Sequence, residues 1–252
     1  MGFETLFWIL VLAEIGLAPL VFLVLIFVSA PYGKHSRSGW GAKMDSRTAW
    51  ALMELPAVAV IAAFPIFTGE IRIVPFLFLL MWEFHYIYRT FLFPVFMRGS
   101  RKNFPALLVF FAFSFNCLNG FINGSQIFLF DGRYTYGWLF TPFFVVGILL
   151  FISGFLLHFF SDRTIRELRR SGETGYDIPR GGAFNWISCP NYLGEIIQWT
   201  GWALMTFSMA GLAFALFSTA NLVPRAISDH KWYNQHLEDY PKNRKALLPF
   251  VM

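Results

Sequence analysis

The sequence predicts an all-α integral membrane protein: a bundle of seven transmembrane helices, N-terminus outside and C-terminus cytoplasmic, with no Rossmann domain. Three observations predict it. The 252 residues are 56 % hydrophobic and only 14 % charged, whereas a soluble domain carries about a quarter charged residues. Mean hydropathy is +0.53 and 32 residues are Phe, a surface that lipid solvates and water does not. The basic residues fall into alternate gaps between apolar runs. A single membrane-embedded domain over residues 1–252 follows, rather than two soluble ones.

Apolar runs long enough to span a bilayer cover Thr5–Ser29, Ala49–Thr68, Ile73–Phe96, Phe104–Ile122 and Tyr136–Phe160. Tyr192–Val223 is long for one span and short for two. Charge parity decides between them. The segments Ala30–Thr48, Met97–Asn103, Ser161–Asn191 and the tail from Pro224 hold all of the 20 Lys and Arg except Arg72, Arg89 and Arg133. The positive-inside rule puts those four segments on the cytoplasmic side, so two spans must separate Asn191 from Pro224, with the break near Ser208–Gly211. The first part of Ser161–Asn191 reads as a helix continuing out of the membrane. The N-terminus lacks the basic region of a cleaved signal, so the first span stays. The expected location is a multi-pass membrane one: endoplasmic reticulum in a eukaryote, inner membrane in a bacterium.

Several function classes are excluded. The net charge of +5 lies in interhelical gaps, not in a patch that interleaves basic and aromatic residues, so nucleic acid is no partner. No G-x-G-x-x-G follows a strand. Cys117 and Cys189 give neither metal spacing nor a disulfide framework, and no His cluster supplies metal ligands. The sequon at Asn123 falls in an outer loop, too close to the membrane to serve as a glycan site.

Ionisable residues inside spans point to function. Helix one carries Glu14, helix two Glu54 with Pro56, and helix three Glu83, His85 and Arg89 with Tyr86 and Tyr88 between them. Glu83, Tyr86 and Arg89 recur every three residues, so they share a broad face, and Glu83 is expected to pair with Arg89. Glu54 has no basic neighbour on its own helix. A carboxyl in apolar surroundings favours the neutral acid, a hydrogen-bond donor suited to a carbonyl oxygen.

Motifs along nearly the whole chain resemble the steroid 5α-reductase family (3-oxo-5-alpha-steroid 4-dehydrogenase). They are E-D-Y-P-K-N-R-K-A-L-L-P-F from Glu238, Y-D-I-P-R-G-G-A-F-N-W-I-S from Tyr176, N-Y-L-G-E-I-I-Q-W from Asn191, H-Y-I-Y-R-T-F from His85, L-N-G-F from Leu118 and M-E-L-P from Met53. The resemblance implies NADPH-dependent reduction of the Δ4 double bond of a 3-oxo steroid, with hydride delivered to C5 and a proton to C4. It makes Tyr86 and Glu54 the pair that polarises the 3-carbonyl and places Met53 in the substrate site. Cofactor contacts carry over to Asp162, Arg169, Tyr176, Asn191, Glu195, Arg225 and Tyr233, with Arg98 or Arg101 in addition. Helices one to four then form the substrate pocket. Helices five to seven, with loop 161–191 and tail 224–252, form the NADPH site. The chain departs from the animal members at Met53 (their Gln), His158 (Asn), Asp177 (Arg) and Asp229 (His).

The partners so implied are a lipophilic enone and the bilayer, and a monomer is expected. A trans-2-enoyl-CoA or polyprenal reductase shares the tail motif and differs in substrate. A membrane methyltransferase is similar in its C-terminal half, but methyl transfer has no carbonyl for Glu54 and Tyr86 to polarise. A transporter fits the buried acids, but the chain has no inverted repeat.

Overall fold

The computed structural model describes residues 2–69, 72–98, 103–168 and 176–251. Among these, the apolar runs fold as seven helical rods: α1 (Phe3–Phe27), α2 (Ser46–Thr68), α3 (Ile73–Ile87), α4 (Ala106–Ser125), α5 (Pro142–Leu168), α6 (Pro190–Thr206) and α7 (Met209–His236). A π-helical turn, Tyr88–Leu92, carries α3 on into Phe93–Phe96, and another, Gln126–Phe130, extends α4. Five rods, α1, α2, α4 with its extension, α5 and α7, are long and apolar enough to cross a membrane. Their exteriors are greasy: Phe27, Ile66, Phe67 and Phe110 all point outward. The bundle interior holds Glu14, His85, Arg89, Asn119, His158 and Gln198. That inside-out distribution is stable only where the surrounding medium is itself apolar.

The break between α6 and α7 falls where the apolar stretch was too long for one helix. Phe207 adopts a left-handed conformation (φ 45°), and the Ser208 hydroxyl caps α7 by accepting from the Gly211 N–H at 3.0 Å. As expected, α5 runs beyond the apolar run to Leu168.

Glycines set the closest helix contact. A Cβ on Gly154 of α5 would lie 2.4 Å from the Gln198 backbone nitrogen, and one on Gly194 of α6 would lie 2.4 Å from that of His158. Gly147 and Gly201 meet the facing backbone just as closely. With no side chain between them the two backbones touch, as small residues allow in membranes. This contact brings His158 and Asp162 of α5 against Asn191 and Glu195 of α6.

Both ends of the bundle are tied. At one end, Lys43–Asp45 (β1) pairs antiparallel with Asn103–Pro105 (β2), with Met44 opposite Phe104. There too the Arg47 guanidinium donates to the Met97 carbonyl at 2.8 Å, Lys34 and His35 bind Asp229, and the Ser188 N–H donates to the Lys245 carbonyl at 2.8 Å. All four basic segments therefore meet at one end, as charge parity requires. At the other end Arg72 donates to carbonyls of Ile127, Phe128 and Asp131. Arg133 pairs with Asp131 and donates to the Phe207 carbonyl, and Tyr134 donates to that of Thr206 at 2.7 Å. The two short strands are an addition to the all-α expectation. Three-residue strands have no periodicity to read, and only their pairing creates them. The Asn123 amide oxygen accepts from Trp202 at 2.9 Å inside the bundle, so the sequon is buried.

Candidate active site

A cavity of about 1140 Å³ opens among α1–α7. Its deep end is apolar, with Leu17 and Leu20 of α1, Phe115 and Leu118 of α4, Trp199 of α6 and Phe214 of α7. Towards the basic end of the bundle it is charged. Of the residues singled out from the sequence, Met53, Glu54, Tyr86, Arg98, Asp162, Tyr176, Asn191, Glu195, Arg225 and Tyr233 all line it. Arg101 and Arg169 lie outside the described residues.

Arg89 is the hub. It is 8 % exposed and its guanidinium lies 3.4 Å from Asp162, 3.7 Å from Glu195 and 3.9 Å from Glu54, three carboxylates from three different helices. The face of the guanidinium lies over Trp50 and Phe93, with its carbon 4.6 and 4.7 Å from the ring centroids. His158 stands 3.5 Å from Asp162 and 3.8 Å from Glu195, and Asn191 donates to Asp162 at 3.2 Å. The expected pair between Glu83 and Arg89 does not form; among the described residues Glu83 Oε1 is buried without a hydrogen-bond partner. The helical period explains this. Six residues turn about 600°, so Glu83 and Arg89 lie about 120° apart around the axis, and the π turn at Tyr88–Leu92 rotates Arg89 further from the α-helical register. His85 and Arg89, four apart, do share the cavity face. Glu54, without a basic neighbour on its own helix, is met by Arg89 from the π turn after α3.

Glu54 and Tyr86 line the cavity from adjacent helices. Tyr86 is wedged among Trp82, Trp199 and His85, with its ring stacked on Trp199 at 5.7 Å. This leaves the tyrosine little rotational freedom. Asn116 of α4 donates to Glu54 Oε2 at 3.2 Å and to the Met53 carbonyl at 2.8 Å. Met53 is buried, packed with Ala49, Phe104 and Val109.

A second cluster sits where loop 30–42 meets α7. Asp229 accepts from His35 at 2.9 Å and pairs with Lys34 at 3.2 Å. Tyr192 bridges it to Arg225, accepting from the guanidinium at 3.3 Å and donating to Asp229 at 3.5 Å. The Lys34 ammonium lies 3.9 Å above the Tyr233 ring. Burial alone would lower the Lys34 pKa, but Tyr233 and Asp229 beside it outweigh burial and raise it, so the ammonium stays charged. Arg166 Nη1, which borders the cavity nearby, is buried with no hydrogen-bond partner among the described residues.

The sequence reading missed Asn116, Lys34, His35 and the central place of Arg89. Arg89 and Asn116 carried a signal, being polar residues in apolar runs. Lys34 and His35 lay in a loop that read as topology alone.

Compared with known proteins, residues 102–252 match the family model described as 3-oxo-5-alpha-steroid 4-dehydrogenase. The chain is 40 % identical to the steroid 5-alpha-reductase DET2 of Arabidopsis thaliana, over 98 % of this chain and 97 % of that one. It is 42 % identical to the DET2 of Solanum lycopersicum, over 98 % of both. With 3-oxo-5-alpha-steroid 4-dehydrogenase 1 of Rattus norvegicus it shares 40 % identity over 89 % of this chain and 87 % of the rat protein. The chain belongs to the steroid 5α-reductase family. This is a family of oxidoreductases that act on CH–CH groups, and membership agrees with the resemblance carried by the motifs from Met53 to the tail.

Proposed function

We propose that this protein reduces the Δ4 double bond of a 3-oxo steroid with NADPH, and that Tyr86 and Glu54 polarise the 3-carbonyl. The carrying observation is the pairing of a carboxyl and a phenol from adjacent helices at the apolar part of a cavity whose other part is cationic. Attack on an enone throws charge onto the carbonyl oxygen. Donors already aimed at that oxygen stabilise the transition state more than the ground state. The apolar walls from α1 and α4 suit a fused hydrocarbon ring system and exclude water, which strengthens those hydrogen bonds.

The residues fit a phosphorylated cofactor. Arg225, Lys34, Arg98 and the orphaned Arg166 nitrogen surround the charged part of the cavity, and guanidinium groups bind phosphate bidentately. A volume of about 1140 Å³ exceeds the usual range for one small ligand, roughly 300–1,000 Å³. When bound there, NADPH supplies the hydride. Asp162, Asn191, Glu195, Tyr176 and Tyr233 would hold it, with Arg169 and Arg101 as further candidates. Arg89 ties Glu54 on the substrate side to Asp162 and Glu195 on the cofactor side, so one cation holds both halves in register.

We also read α3 and α6 as membrane-crossing, for seven spans with the C-terminus cytoplasmic. The meeting of all four basic segments at one end supports this. A reporter fused after the last residue should read as cytoplasmic; an external reading would sink the topology.

The activity test is incubation of purified protein in detergent with NADPH and a panel of enones: testosterone, progesterone and an enoyl-CoA. The expected products are 5α-reduced 3-oxo steroids, identified by mass and retention. Exclusive reduction of the enoyl-CoA would transfer the protein to the acyl-reductase reading.

A further inference from the structure

We infer that Asn116 is a positioning residue that directs the acidic proton of Glu54 onto one oxygen, Oε1. The inference rests on the reading of Glu54 and Tyr86 as the carbonyl pair. Its basis is the hydrogen bonding of a single amide. Asn116 Nδ2 lies 2.8 Å from the Met53 carbonyl oxygen and 3.2 Å from Glu54 Oε2. A backbone carbonyl can only accept, so the nitrogen of the amide must face Met53 and the amide cannot be flipped. An amide nitrogen carries two hydrogens. One goes to Met53 and the other to Glu54 Oε2. That oxygen is therefore an acceptor, and a proton on it would collide with the donated one.

The other oxygen, Oε1, stands 3.9 Å from the Arg89 guanidinium, which is ion-pair range but too long for a hydrogen bond. Among the described residues no donor lies within hydrogen-bond distance of Oε1, so that oxygen is the one able to carry the proton. Oε1 is the oxygen on the side of Arg89, which follows Tyr86 by three residues in the π turn after α3, and Tyr86 and Arg89 both line the cavity. Oε2 is the oxygen held by Asn116 of α4. Placing the proton on Oε1 lets the carboxyl and the phenol converge on one carbonyl oxygen; placing it on Oε2 would aim it at Asn116. The other ionisable groups close to Glu54 are Tyr86 of α3 and Glu195 of α6, with Asp162 and His158 of α5 behind Arg89. Among the hydrogen bonds described, only Asn116 donates to Glu54. Its burial, at 6 % exposure, is accounted for by this task.

The test uses the full-length protein, with kcat and KM for the steroid measured between about pH 5.5 and about pH 8, a range in which a carboxyl flanked by another gains its proton. Asn116→Asp keeps the shape but replaces the donor by an acceptor. Its kcat should fall by about 10²-fold at neutral pH, the size expected for a misaimed catalytic group, with KM little changed. As the pH is lowered, the introduced carboxyl gains a proton and becomes a donor again, and the ratio of variant to wild-type kcat should climb. Asn116→Leu, which can never donate, should stay low throughout. Full turnover in Asn116→Asp, or a loss of the same size at every pH, would overturn the inference in favour of a packing role. Infrared difference spectra between wild type and Glu54→Gln give a second measurement that needs no folded Asn116 variant. The carboxylic C=O stretch of Glu54 should lie in the hydrogen-bonded range, and a stretch in the free range overturns the inference. The two levels separate cleanly. If Tyr86→Phe keeps full turnover, the carbonyl pair is wrong, whereas loss in Tyr86→Phe with full turnover in Asn116→Asp sinks only the role of Asn116.

Discussion

Two charged clusters border one cavity, and their compositions are inverse. Around Arg89 a single cation meets three carboxylates, Glu54, Asp162 and Glu195. Around Asp229 a single carboxylate meets Lys34 and His35 directly and Arg225 through Tyr192. Both are mostly shielded from water, so neither arrangement is an accident of a solvated surface. The difference is what the proposed binding of two chemically different ligands requires. In the proposed reading the Arg89 cluster joins Glu54 on the substrate side to Asp162 and Glu195 on the cofactor side, whereas the excess of cations around Asp229 attracts an anion. Asp229 is itself one of the departures from the animal members of the family. Its pairing with Lys34 and His35 ties the loop after α1 to α7, a contact that depends on this residue.

The largest effect should come from deleting the lone member of the first cluster. Arg89→Met leaves Asp162 and Glu195 without their shared cation and Glu54 without its cationic neighbour, and breaking a buried ion pair typically costs about 3–5 kcal/mol. Thermal or denaturant unfolding in detergent should show a loss of that order, and Lys34→Met should lose markedly less, because Asp229 keeps His35 and Tyr192. Equal losses would mean that the clusters do not differ in the way their composition indicates.

Next in size is Tyr86→Phe, which deletes the phenol proposed to donate to the ketone. Removing one such donor costs roughly 2.7–4 kcal/mol in the transition state, or about 10²–10³ in kcat, and the loss should persist at all pH values because the donor is gone outright. NADPH affinity should stay near wild type. A matching loss of cofactor affinity would show that the two clusters are not separate in function.

Arg225→Ala probes the second cluster. A hydrogen bond to a charged group contributes about 1.5–3 kcal/mol, so KM for NADPH should rise by roughly 10–100-fold with the steroid KM little changed, and preference over NADH should narrow. If NADH and NADPH already give equal kcat/KM in the wild type, the cationic cluster does not read a 2′-phosphate.

The smallest effect belongs to a pair outside the cavity, which sets the baseline. Burial alone would push the Asp131 carboxyl up, but the side-chain and backbone hydrogen bonds from Arg133, with its charge, outweigh burial and hold it below the usual carboxylate range. A carboxyl depressed in the folded state stabilises the fold above its unfolded value, near pH 4, and that stability is lost as pH falls through the folded value. Arg133 is half exposed, so the contribution should be at most about 1 kcal/mol. Asp131→Asn should lower Tm slightly at neutral pH and not at all in strong acid. A constant Tm difference across that range would show that the pair is not what Asp131 contributes.

The sequence by itself determined the approximate positions of the seven rods, a break near Ser208–Gly211 that the structure places at Phe207–Ser208, the meeting of the basic segments at one end, and the family. Each is legible because the information is local. Hydropathy along a run and charge between runs are both read in chain order, and motifs such as N-Y-L-G-E need no third dimension. Glu54 and Tyr86 stood out as polar residues inside apolar runs, and Asn191 and Arg225 came from motif resemblance, while most of the cavity lining was not legible in the chain. Only the tertiary structure decided partners. Arg89 was assigned to Glu83 on its own helix and instead joined Glu54, Asp162 and Glu195. Asn116 went unnoticed until α4 lay against α2, and Lys34 and His35 found Asp229 almost two hundred residues away. Such pairings depend on how far each helix is rotated about its axis and how closely its glycines let it approach its neighbour. Those two quantities are set by packing across the bundle and leave no periodicity in the chain itself.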